Sequence, residues 1–206
     1  MIAIQPRHCG REHIAILASG YDYYFGKPKD SEHTVVGSVE WCERFLPPVT
    51  PDYYPEYLQP WMFRLWGVCN KWPLGKRLFI KPADSYKRFT GLVTNGGYKG
   101  KKRGPYVWSQ PVTFEQEWRY YVSDGDVVTT GWYNGHDEEE PAPPLPFLFP
   151  KVCGAFDFGR LDTGQLALVE AHHPYACGWY GEFSKHKAYV TWLIRGWEYI
   201  NERKNK

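Results

Sequence analysis

The stretch from Val152 to His173, VCGAFDFGRLDTGQLALVEAHH, constrains the fold more than any other part of the chain. Cys153, Ala155, Phe156 and Phe158 lead into a turn at Asp162-Thr163-Gly164, and Leu166, Leu168 and Val169 lead out of it. That is the pattern of a β-hairpin with β-prone arms. Each arm carries one carboxylate, Asp157 or Glu170, in a hydrophobic strand-like setting. Folding the arms together brings both carboxylates to the same end of the paired strands, and His172, two residues beyond Glu170, shares its face. Two carboxylates and an imidazole form a hard-cation site suited to Mg²⁺ carrying a polyphosphate. The alternative on spacing alone is a pair of solvated strand-edge charges.

At 206 residues the chain can bury a sizeable core, as one domain of two lobes or as two small domains. Aromatic residues are 18% of it, including 10 Trp and 16 Tyr, which argues against disorder and supplies flat surfaces for packing or for stacking on rings. A net charge of +2 gives no global electrostatic footprint for nucleic acid. The five cysteines, Cys9, Cys42, Cys69, Cys153 and Cys177, are odd in number, widely spaced and free of any CxxC pair, so neither a disulfide framework nor a zinc ribbon is indicated. The start MIAIQPRHCGREH lacks the basic head and long apolar run of a signal peptide, and no apolar stretch reaches the ~18 residues of a membrane span. A cytoplasmic location is the expectation.

Upstream of the hairpin, residues 1 to 36 read as irregular, with a short apolar run at Ile14 to Leu17 and aromatic and polar residues from Tyr21 to Phe25. Val35-Val36 suggests a strand, and Ser38 an N-cap for the helix-spaced Val39, Trp41, Cys42, Phe45 and Leu46, ended by Pro47-Pro48. The prolines and tyrosines of PPVTPDYYPEYLQP, residues 47 to 60, predict an ordered loop rather than a helix. Leu78-Phe79-Ile80 is a short buried strand closed by Lys81, which is either solvated or turned inward toward phosphate. The polar loop ADSYKRFTG, residues 83 to 91, carries Lys87 and Arg88 and can cradle an anion, and Leu92 to Thr94 is the returning strand. In the glycine-rich turn that follows, Lys99, Lys101, Lys102 and Arg103 are either a solvated hairpin tip or a basic grip on an acidic substrate or nucleic acid. A second hairpin is signalled by Trp118 to Val122, Ser123-Asp124-Gly125-Asp126 and Val127 to Trp132. On it Glu117 and Arg119 share a face and either pair or both meet a ligand. Residues 137 to 150, acidic and then proline-rich, must be an extended loop, and Tyr189, Trp192, Leu193, Gly196, Trp197 and Ile200 recur at the spacing of a C-terminal helix.

A lysine at a strand end, a loop with a second lysine, a strand break, Glu and Arg on the next hairpin, then Asp and a final Glu with one more ligand follow one another in a telling order. That order resembles the ATP-grasp superfamily, and more specifically the small ATP-grasp proteins common in bacteriophage genomes. The phrases that carry the resemblance are FIKPADSYKRFTG, QPVTFEQEWRYYV and AFDFGRLDTGQLALVEAHHPYACGWYG, and it spans about residues 37 to 195. It implies an α+β fold of two lobes whose antiparallel sheets clasp a nucleotide: a reduced N-terminal region over 1–36, an N-terminal grasp lobe over 37–112 and a C-terminal lobe over 113–206. Carried over residue by residue, it places Lys81 on the α/β-phosphates of ATP and Lys87 in a lid loop. The hinge Ser109, Gln110, Pro111 and Val112 falls on the adenine edge, Glu117 on the ribose hydroxyls and Arg119 on the γ-phosphate or an acyl phosphate. Asp157, Glu170 and His172 would hold Mg²⁺.

The family usually has Asn where this chain has His172. Imidazole is softer and titratable, which admits Mn²⁺, weaker Mg²⁺ binding or a proton-transfer role. The activity implied is ATP-dependent ligation of a carboxylate to an amine through an acyl phosphate, in host cytoplasm if phage-encoded, on a small molecule, peptide or protein. Two rivals stay open. One is a catalytically reduced nucleotide-binding module of the same fold. The other is a metal- or nucleic-acid-binding protein using His172, His173, Cys177 and Cys153 as a zinc site and Lys99–Arg103 as a nucleic-acid contact.

Overall fold

The computed structural model describes residues 1–8, 10–47, 49–73, 75–84, 89–95 and 104–202. Residues 1 to 36 are not irregular: they form β1 (Ile2–Ile4), α1 (Arg11–Ser19), β2 (Tyr23–Phe25) and β3 (Thr34–Val36), with β1 paired in parallel to both other strands in the order β2-β1-β3. Strands of three residues are too short to show alternation, and β1 and β3 are buried throughout, so no periodicity was there to read. α1 ends where Gly20 takes the left-handed conformation (φ 79°), a geometry glycine adopts without strain.

Ser38 caps α2 (Val39–Cys42) as expected, its hydroxyl accepting from the Trp41 N–H at 3.2 Å. Residues 47 to 60 depart from the loop expectation, because a 3₁₀ segment runs over Glu56–Trp61 with Pro60 inside it. The missing proline N–H is cheapest in such a short, loosely bonded turn. β4 (Trp66–Cys69), β5 (Arg77–Pro82), β6 (Leu92–Asn95) and β7 (Tyr106–Ser109) make an antiparallel sheet in the order β4-β7-β5-β6.

A second antiparallel sheet, in the order β11-β10-β8-β9, contains both hairpins: β8 (Phe114–Ser123) with β9 (Asp126–Gly135), and β10 (Gly154–Leu161) with β11 (Leu166–His172). Its two faces differ. Trp118, Tyr120, Val122, Phe156 and Phe158 face one side and pack with Leu58, Met62 and Phe149, so the 3₁₀ segment and the proline-rich 137–150 loop cover it. Tyr121 and Ala155 face the other side and pack with Tyr189, Trp192 and Leu193 of α3 (His186–Glu202), together with Ile2, Ile4 and Ile16. The Trp192 indole N–H, 2.9 Å from the Val122 carbonyl, fixes α3 on the sheet. The part of this face that α3 leaves bare is where the candidate site lies.

Candidate functional site

In the sheet β11-β10-β8-β9, Glu170 pairs with Asp157, Asp157 with Arg119, and Arg119 with Gly131. Directly opposed residues on neighbouring strands project to one face, so two carboxylates and a guanidinium form a single rung on the bare side. Strict alternation would have put Leu168 and Glu170 on one face. A β-bulge intervenes, since Asp157 pairs with Glu170 but Phe158 with Leu168, leaving Val169 as the extra residue. Leu168 and Ala171 can therefore both enter the core while Glu170 turns to the cleft.

Arg64 holds this bulge. Its Nη1 donates to the Leu168 carbonyl at 2.6 Å and its Nη2 to the Val169 carbonyl at 3.0 Å, filling acceptors where the strand ladder is interrupted. Nothing in the sequence around Arg64 marks it, because its partners are main-chain atoms more than 100 residues away.

Arg119 meets Asp157 through two parallel bonds, Nε to Oδ1 and Nη2 to Oδ2, both 2.7 Å. Burial would raise the Asp157 carboxyl, and the adjacent guanidinium more than offsets it, so its pKa is lowered. The guanidinium lies between the rings of Tyr133 and Tyr180, 4.8 and 5.1 Å from their centroids. Gly131 makes this possible: a Cβ there would fall 2.3 Å from the Tyr180 carbonyl carbon, so only glycine lets the 178–181 loop lie on the sheet.

Lys81 faces this rung from β5, where it shares a face with Phe79, and forms an ion pair with Glu170. Burial would raise the Glu170 carboxyl, but the Lys81 charge prevails and holds it well below the usual carboxylate range. Tyr53 covers the ammonium, its ring centroid 3.5 Å from Nζ, and its carbonyl accepts from the Ala171 N–H at 2.9 Å. The proline-tyrosine segment is thus a wall of the site, which its composition alone did not reveal. Lys81, Arg119, Glu170 and His172 open on one cleft of about 460 Å³.

His172 completes the cluster. One ligand atom from each of Asp157, Glu170 and His172 lies within 4.8 Å of the others. His172 Nε2 is 2.9 Å from Glu170 Oε1 and 3.4 Å from Asp157 Oδ2, yet it is buried without an aligned hydrogen bond. A buried ring nitrogen aimed among carboxylate oxygens with no hydrogen bond of its own fits a metal ligand, and the oxygen-rich donor set fits a hard divalent cation.

The other expected residues lie apart from this cluster. Ser109 is buried at the end of β7, and the Gln110 N–H expected at an adenine edge is bonded to the Leu65 carbonyl at 2.8 Å, while the Gln110 side chain accepts from the Leu65 N–H. Pro111 and the exposed Val112 continue toward β8. Glu117 does not pair with Arg119 but accepts from Asn134 at 3.2 Å, and burial raises its carboxyl against the pull of that bond. Lys87 and the basic residues Lys99, Lys101, Lys102 and Arg103 are outside the described residues. The expected zinc alternative is not assembled: Cys153 sits against Ser123 and Asp124 at the far end of β10, and Cys177 points at main-chain carbonyls. No described helix is long and apolar enough to cross a membrane.

A family model for an ATP-grasp domain, the second family of its clade, matches residues 64–190. The chain belongs to the ATP-grasp family. That family is one of ligases, and its match takes in every element of the rung and the sheet facing it. No curated protein matches the chain. Among solved structures it is similar to the ATP-grasp ligase PsnB complexed with minimal precursor, at 10% identity over 85% of this chain and 90% of that one, TM-score 0.41. It is also similar to N5-carboxyaminoimidazole synthetase from Staphylococcus aureus complexed with ADP, at 13% identity, 94% and 76% coverage and TM-score 0.45. D-alanine–D-alanine ligase from Bacillus anthracis complexed with ATP stands at 10% identity, 98% and 99% coverage and TM-score 0.43.

Proposed function

We propose that this ATP-grasp protein is an ATP-dependent carboxylate–amine ligase. The observation that carries the reading is the rung Glu170–Asp157–Arg119 facing Lys81 across the cleft, with the unpaired ring nitrogen of His172 beside it. In the reaction a substrate carboxylate oxygen bonds to the γ-phosphorus of ATP while the β–γ bridging bond breaks and ADP leaves. The amine nitrogen then attacks the acyl carbon, phosphate departs, and the amine gives up a proton. Charge control is the main requirement of both steps, and no side-chain nucleophile is needed.

Residues 37–112 and 113–206 are the two lobes in this reading, with 1–36 beside them. Lys81 binds the α/β-phosphates once released from Glu170, and Lys87 approaches from the lid. Arg119, already oriented by Asp157 and the two tyrosines, meets the transferred phosphoryl group with its fork of donors. Residues 109–112 pass the adenine and Glu117 takes the ribose. Mg²⁺ held by Asp157, Glu170 and His172 would neutralise charge on the polyphosphate.

A second reading rests on a specific observation: Lys81 and Arg119 are both already paired with the carboxylates that would hold the metal. A site closed by its own ion pairs suits a nucleotide-binding module without turnover. Purified protein with Mg²⁺ and ATP, screened against a broad panel of acids and amines, separates the readings. ADP and phosphate released only with an acid–amine pair supports the ligase. Stabilisation by ATP without product across the panel supports the module. AMP as product replaces acyl phosphate with adenylylation, and no stabilisation by ATP refutes both readings.

A further inference from the structure

The N-terminal sheet carries a second group of ligand-type side chains. β1 lies between β2 and β3, and the chain leaves it toward β2 through α1 before returning to β3 on the opposite side. The carboxyl end of a central parallel strand at such a reversal is where open α/β sheets place ligands. His8 sits on the loop leaving β1, and Glu12 and His13 lie in the first turn of α1. One ligand atom from each of the three lies within 4.8 Å of the others.

Two features show that this group is built rather than incidental. Glu12 is only 8% exposed, its Oε1 is 2.7 Å from His8 Nε2, and both carboxylate oxygens fold over Gly10, where a Cβ would meet them at 2.2 Å. The ring of His13 is held edge-on by His8 and Phe25, with centroids 5.3 and 6.3 Å away, and its Nε2 is buried with no hydrogen-bond partner among the described residues. A helix-terminal acid paired with a histidine accounts for Glu12 and His8. It leaves the buried His13 nitrogen unexplained, and a buried imidazole nitrogen without a partner calls for one.

We propose that His8, Glu12 and His13 form a metal site for a divalent ion of the zinc class. Two imidazoles and one carboxylate are the donor set such ions prefer over Mg²⁺, and three protein ligands leave one position open to water or to a donor atom of a bound molecule. None of the three lines the cleft that holds Lys81, so the site is distinct from the one on Asp157, Glu170 and His172. The neighbouring Arg11 guanidinium lies 6.0 Å from the Tyr180 ring centroid, which places the first turn of α1 behind a wall of that cleft.

The test uses the full chain, stripped with chelator and titrated with Zn²⁺ by calorimetry and with Co²⁺ by its visible absorption. The wild-type protein is expected to bind one equivalent with nitrogen–oxygen Co²⁺ bands. His8→Gln and His13→Gln should each weaken binding by at least about tenfold, and His172→Ala should leave it unchanged. His8 and His13 are partly exposed, so their replacement leaves the core intact, and circular dichroism checks that each variant is folded. Absence of Zn²⁺ binding by the wild type, unchanged binding in both glutamine variants, or loss in His172→Ala overturns the proposal. Thiolate-to-Co²⁺ charge-transfer bands that survive in both glutamine variants would assign the ion to cysteine and overturn it equally.

Discussion

Replacing Asp157 with Leu leaves the Arg119 guanidinium buried without a counter-charge. The two side chains are 0% and 6% exposed, and both carboxylate oxygens are engaged at 2.7 Å, so water cannot replace the lost partner. Stripping one member from such a pair costs about 3–5 kcal/mol. For a chain of this length that lowers the melting temperature by roughly 6–20 °C. Arg119→Leu, which strands the carboxylate instead, should cost a similar amount. The double variant removes both charges, and it should be more stable than the sum of the two losses by up to about 3 kcal/mol. Urea unfolding followed by tryptophan fluorescence, in chelator and without nucleotide, reads stability apart from any metal role of Asp157. Trp118 on β8 and Trp192 on α3 report from either face of the same sheet. If the two losses add to within about 0.5 kcal/mol, the pair is not energetically coupled and the rung is not held as argued.

Three further outcomes follow from the same geometry. Asp157 and Glu170 have folded pKa values below their ordinary 3.8 and 4.5, so the stability they contribute is present above those values and is lost as pH falls through the folded ones; acid unfolding monitored by circular dichroism should be shallower in Asp157→Asn. His172 is lowered by burial but raised more by Glu170, so its contribution is full below pH 6.5 and is lost as pH rises through the folded value. The stabilising effect of Mg²⁺ with an ATP analogue should grow over the same window, and His172→Asn should flatten both trends in thermal melts. Arg64→Ala removes the guanidinium from the bulge carbonyls, costing about 2 kcal/mol, and should weaken nucleotide-dependent stabilisation even though Arg64 does not line the cleft; Arg64→Lys, with one charge and no fork, should recover only part of it.

What could be read in the sequence, and what could not, divides along physical lines. Asp157, Glu170 and Arg119 were legible because polar residues in apolar strands have few other reasons to be there, and the hairpins that align them are local. Lys81 was legible for the same reason, at the end of a buried strand. Residues whose roles come from distant main-chain partners left no trace: Arg64 clamps carbonyls on β11, and Tyr53 covers Lys81 while accepting from Ala171. The bulge at Val169 is the sharpest case. Alternation counted from Leu168 assigns Glu170 to the core, whereas alternation counted from His172 assigns it to the cleft, and both counts run through the same short stretch of strand. The conflict is itself information, because an apolar residue and a carboxylate two apart cannot both be satisfied on one face of a regular strand. A bulge resolves it, and a bulge interrupts the ladder at carbonyls that some donor must reach. Arg64 is that donor, so the requirement for a clamp was written into β11 even though the identity of the clamp was not.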